Sequence, residues 1–107
     1  MSILQKPTLV GGNVINLENT GEGTSWDVSG FSSGSIQVVV TSGAFSSGVL
    51  TVERSNDNTE WFAMATATTI SSAGITSFDI DTNYIRVRVT TANGAAGQVR
   101  VSSNGRL

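Results

Sequence analysis

Tyr84-Ile85-Arg86-Val87-Arg88-Val89-Thr90 is the stretch that decides the fold. Apolar and polar side chains alternate along it without a break. Ile85, Val87 and Val89 fall on one side of an extended chain, and Arg86, Arg88 and Thr90 on the other. The three-to-four-residue recurrence of an amphipathic helix is missing. A strand with one dry and one wet face belongs to an antiparallel sheet, because a buried parallel sheet is apolar on both sides.

The same pattern continues in both directions. Val99 and Val101 alternate with Gln98 and Arg100, Leu50 and Val52 with Thr51 and Glu53, and Ile36, Val38 and Val40 share one side of another strand. Clusters of Gly, Ser, Asn and Asp punctuate these runs at Ser42-Gly43, Ser46 to Gly48, Ser55 to Asn58, Ser71 to Gly74 and Ala92 to Gly97. Such residues favour turns because they tolerate positive φ or bond their own backbone. About eight strands are expected, near 13–18, 24–29, 35–41, 48–54, 59–65, 75–80, 83–91 and 97–103. Short strands at this spacing predict an all-β, antiparallel β-sandwich, and eight of them suit a jelly-roll-like arrangement. The strand order cannot be read from alternation.

A chain of 107 residues fits one domain. Residues 13–107 are read as a single β-sandwich domain. Residues 1–12 hold the only proline, Pro7, and end in Gly11-Gly12, which reads as a flexible joint. They are expected to form an N-terminal arm or an edge strand. Charged residues make up only 13% of the chain and the net charge is −2. That balance offers no general attraction to nucleic acid or anionic lipid. No apolar run approaches the ~20 residues of a membrane-spanning helix, and residues 1–10 lack the basic and apolar regions of a signal peptide. Synthesis in a cytoplasm is the expectation.

Catalytic chemistry finds little to work with. There is no Cys and no His, which removes thiol nucleophiles, the usual general base and the commonest transition-metal ligands. Lys6 is the only lysine and lies in the expected arm, so a Ser–Lys dyad is not expected. Asp79 with Asp81, and Asp57 with Glu60, are carboxylate pairs, read here as turn caps and solvated charges. Asn56, Asp57, Asn58, Asp79 and Asp81 carry oxygens suited to calcium, but without the spacing of a calcium loop. No catalytic residue, cofactor or metal is expected, and the protein is read as a non-enzyme.

Candidate interface residues are Leu4, Lys6, Leu9 and Val10 in the arm, and Arg86, Arg88 and Arg100. If the strands carrying the three arginines pair as a hairpin, their guanidinium groups crowd one face. Like charges facing each other across strands are unfavourable, so they call for carboxylates. Glu53, Asp79 or Asp81 would supply them within the chain, or another subunit would supply them from outside. The aromatics Trp26, Phe31, Phe45, Trp61, Phe62, Phe78 and Tyr84 are expected to fill the core. Trp61 and Phe62 are neighbours and cannot face the same way on a flat strand.

The segment Val52-Glu-Arg-Ser-Asn-Asp-Asn-Thr-Glu-Trp-Phe62 resembles a hairpin of small virion proteins of tailed bacteriophages, in which Ser-Asn-Asp-Gly precedes a Trp. Asn58 stands here in place of the glycine, and asparagine also accepts positive φ. Phe78-Asp-Ile-Asp81 leading to Tyr84-Ile-Arg-Val-Arg-Val89, and the ending Gly97-Gln-Val-Arg-Val101, resemble the same proteins over residues 35–103. The resemblance implies a capsid decoration (cement) or head-fibre protein. It would bind the major capsid protein or another virion protein as a trimer or dimer, and would reside on the capsid surface. Discoidin-like carbohydrate-binding domains use a similar hairpin, so a carbohydrate-binding or adhesin module is the alternative. An open aromatic ring beside polar groups would favour that alternative.

Overall fold

The computed structural model describes residues 8–64 and 69–106. Among the described residues nine strands form: β1 (Thr8–Asn16), β2 (Gly23–Asp27), β3 (Ser33–Gly43), β4 (Val49–Ser55), β5 (Phe62–Ala63), β6 (Thr69–Ile70), β7 (Gly74–Asp79), β8 (Tyr84–Thr91) and β9 (Gly97–Arg106). They build two antiparallel sheets. One has the order β1-β9-β3-β7, and the other β2-β8-β4-β5, with β6 also on β4.

The pairing is nested. β1 pairs with β9, β2 with β8, β3 with β7, and β4 with β5. The chain is therefore one long antiparallel ribbon, folded back at the turn between β4 and β5. Rolling that ribbon up brings β3 against β9 and β4 against β8. A four-stranded and a five-stranded layer joined in this order form a jelly roll, with β6 as an addition on β4.

Alternation decides what the layers bury. Ile15, Ile36, Val38, Val99 and Val101 from one sheet meet Leu50, Val52, Ile85, Val87 and Val89 from the other, with Val28 just past the end of β2, and all are buried. The aromatics follow the expectation only in part. Trp26 and Phe78 are buried and Phe31 and Phe45 pack against the core. Trp61 is half-buried on the outside of a sheet and Phe62 is 67% exposed.

Two expectations about the ends of strands change. β1 begins at Thr8 and runs through Gly11-Gly12 as the edge strand beside β9, so these glycines are not a joint. Gly11 is needed for another reason: a Cβ there would come within 2.8 Å of the Trp26 indole nitrogen. The expected strand at 59–65 shrinks to Phe62–Ala63. The amides of Thr59 and Glu60 are taken by the Asp57 carboxylate instead, each at 2.9 Å. Thr69–Ile70 supplies a short additional strand that alternation did not signal.

Candidate interaction surfaces

The outer face of the β2-β8-β4 sheet carries the charged cluster. Register places Glu53 of β4 opposite Arg86 of β8, and Arg86 opposite Ser25 of β2. One residue pair along, Arg88 lies between Thr51 and Gly23. Glu53 Oε1 accepts from Arg86 Nε at 2.8 Å and from Arg88 Nε at 3.0 Å, and Oε2 accepts from Arg88 Nη2 at 3.3 Å. The Arg86 guanidinium also lies over the Trp61 ring, 4.5 Å from its centre. Gly21, Gly23, Thr24, Ser25 and Asn58 complete a groove of about 510 Å³ around Trp61, Arg86 and Arg88.

Arg100 is not part of this cluster. β8 and β9 do not pair; they lie in opposite sheets. The expected crowding of three arginines is thereby corrected to a pair plus a distant single charge. Glu53 is the carboxylate that the pair shares. Asp81 instead takes Arg54, at 2.7 Å.

Burial would push the Glu53 carboxyl up. The hydrogen bonds from Arg88 and Arg86 and their charges outweigh this and hold it below the ordinary value. Glu53 therefore stabilises the fold above the unfolded-state pKa of about 4.3, and the contribution is lost as pH falls below that value. Asp27, held low by Ser29, and Asp57, held low by the Glu60 and Thr59 amides, act in the same direction. Glu53→Gln is expected to cost about 2 kcal/mol at neutral pH. That is less than the ~3–5 kcal/mol of breaking a fully buried pair, because both arginines keep about a third of their side-chain exposure. Urea unfolding at pH 7 and pH 3 checks this. The acid-induced loss should shrink in the variant and not vanish.

The outer face of the β1-β9-β3-β7 sheet is different. Val14, Arg100 and Val39 form one row across three strands. Ser102, Gln37 and Ile75 form the next, and Asn104, Ser35 and Ser77 another. Val14 and Ile75 are 50% and 68% exposed. Arg100 is the single charge in these three rows; the row beyond them sets Asp79 and Arg106 on either side of Ser33, where a groove of about 430 Å³ opens. Among the described residues no carboxylate lies within salt-bridge distance of Arg100.

At the ribbon's tip, Asp57 organises the turn. Its Oδ1 accepts from Ser55 Oγ at 2.9 Å as well as from the two amides, while Ser55 Oγ accepts from the Asn58 amide at 2.9 Å. Asn58 has φ of 60°, the left-handed conformation expected of the residue standing in the glycine's place. Phe62 stands open beside Asp57, Glu60 and Thr82.

Of the other candidate interface residues, Leu9 and Val10 are placed by their backbone in β1. Leu4 and Lys6 lie outside the described residues. No three acidic side chains among the described residues converge as a metal site would require. Comparison with protein-family models and with curated proteins gave no match.

Proposed function

We propose that this protein is a non-enzymatic structural component of a phage virion, a decoration (cement) protein that binds the outside of the head as a trimer or dimer. The observation that carries the reading is the sparsely charged outer face of the β1-β9-β3-β7 sheet, where exposed Val14 and Ile75 and partly exposed Val39 share three rows with Arg100 as their one charge. Exposed apolar side chains on a face of short polar ones are suited to covering by another protein surface, with one arginine to fix the register. The jelly-roll order and the left-handed Asn58 add to the resemblance with small virion proteins that the sequence carries.

Function of this kind resides in surfaces. Decoration proteins bind a lattice of identical sites, so weak individual contacts gain from multivalency. The test is co-sedimentation of the purified protein with undecorated heads from the same source. Saturation at a fixed number of copies per capsid subunit is expected, with at least about tenfold weaker binding for Arg100→Glu, the factor that ~1.4 kcal/mol represents. Absence of binding to heads would overturn the proposal.

A second reading, a carbohydrate-binding or adhesin module, draws on Phe62. Its ring is 67% exposed and sits among carboxylates and a hydroxyl, as sugar-stacking rings do. Retention on a glycan array that is lost in Phe62→Ala would favour it.

A further inference from the structure

The Arg86–Arg88 pair holds more donors than its own chain uses. Glu53 is one carboxylate shared by two guanidinium groups, leaving one net positive charge on the Arg86–Arg88–Glu53 cluster itself, with exposed Asp27 one row further along β2. Arg86 gives only Nε to Glu53, and Arg88 gives Nε and Nη2. Among the described residues nothing accepts from Arg86 Nη1 and Nη2 or from Arg88 Nη1. A guanidinium held through Nε presents its two terminal nitrogens end-on, which is the fork that a carboxylate fits with two hydrogen bonds.

The surroundings keep that fork open and fixed. Gly21 and Gly23 contribute no side chains to the groove wall, and Ser25, opposite Arg86 on the edge strand, is short. Trp61 backs the Arg86 guanidinium, and Glu53, 9% exposed, anchors both arginines from below. Little side-chain freedom remains to be lost on binding, so ordering costs are low. The chain as a whole is acidic, so attraction of an anion to this groove would come from these local donors and not from the general field of the protein.

We propose that this groove is a receptor for a carboxylate side chain from an acidic segment of the partner protein. A protein carboxylate is favoured over an acidic sugar because one face of Trp61, on which a sugar ring would stack, is already covered by Arg86. The proposal rests on the reading of this protein as one that binds other proteins. It assigns the groove a contact separate from the face around Arg100 on the opposite sheet.

The test is titration of the protein with a blocked peptide, acetyl-Gly-Ser-Glu-Gly-Asp-Ser-amide, followed by NMR of the arginine Nε–Hε and Trp61 indole signals. The same peptide with Gln and Asn in place of Glu and Asp serves as the neutral control, and glucuronate as the sugar probe. The Arg86, Arg88 and Trp61 signals should move with the acidic peptide only. Arg88→Gln should weaken binding about tenfold or more, and Arg100→Gln, on the opposite sheet, should leave it unchanged. Ser25→Glu leaves the Glu53 contacts in place and fills the groove from within, so it should block the peptide in a folded protein. Equal loss in Arg100→Gln, no signal movement, or a response to glucuronate without one to the peptide would each overturn the proposal. Undiminished head binding by Ser25→Glu would overturn the groove's role and leave the proposed function standing, whereas failure of the unaltered protein to bind heads would remove that function by itself.

Discussion

Replacing Trp26 by alanine is expected to cost about 3–5 kcal/mol, the range for deleting a large buried aromatic, whereas Trp61→Ala should cost about 1–2 kcal/mol. A domain of this size has only ~5–15 kcal/mol in total, so the first variant should be close to unfolding and the second well folded. The difference follows from position. Trp26 lies on β2 and closes the side of the sandwich where the two edge strands β1 and β2 meet. Its ring fits beneath Gly11, and its register partner Ile85 is fully buried. Loss of the ring would leave a cavity that neither sheet can close without moving β1. Trp61 stacks on Arg86 from outside and supplies a cation–π contact of about 0.5–1 kcal/mol plus partial burial. Urea midpoints of the two variants measure the contrast, and the emission of Trp61→Ala should shift to the blue because only the buried indole remains. Equal destabilisation by the two substitutions would contradict this assignment.

That contrast marks the boundary of what the sequence discloses. Alternation at Ile85, Val87 and Val89, and at Leu50 and Val52, identified strands and their dry faces, because a period of two leaves each side chain only two directions. Asn58 was legible for a similar reason: a single local φ decides it. Local pattern does not disclose which strands become neighbours. β8 and β9 follow one another in sequence and read as a hairpin, yet the rolled ribbon sends them to opposite sheets and separates Arg100 from Arg86 and Arg88. The choice between Trp26 and Trp61 also depends on a distant residue. Gly11 admits one indole because it has no side chain, and the trace of this in the sequence was the Gly11-Gly12 pair, which reads there as a joint. A glycine inside a strand often marks close approach by another group.

Asn93 was still less visible, since it reads as one more turn residue between β8 and β9. It is nevertheless expected to be among the most sensitive polar positions in the protein. Its Oδ1 accepts from the amides of Ser46, Ser47 and Gly48 at 2.9–3.0 Å and from Ser46 Oγ at 3.0 Å. Its Nδ2 donates to the carbonyls of Ala44 at 2.7 Å and Ala95 at 2.8 Å. The side chain is 7% exposed. One amide thus ties the β3–β4 loop to the β8–β9 loop, and so fastens the two sheets together at this end of the sandwich. Asn93→Ala removes every one of these bonds and leaves several backbone groups short of partners. An unsatisfied buried group costs about 1–3 kcal/mol, but the loop amides regain some water when the clamp opens, so the net loss should be about 2–4 kcal/mol. Asn93→Asp separates the two halves of the clamp. It keeps an acceptor for the three amides and turns an oxygen toward the Ala44 and Ala95 carbonyls, so it should lose less than alanine does and more than nothing. Urea unfolding with an unchanged m-value reads both losses as stability rather than as altered compactness. Hydrogen exchange adds a local check: the Ser47 and Gly48 amides should be protected in the unaltered protein and exchange at loop rates in Asn93→Ala. A loss under 0.5 kcal/mol, the scatter of ordinary surface substitutions, would mean that water replaces the clamp and that the two loops hold without it.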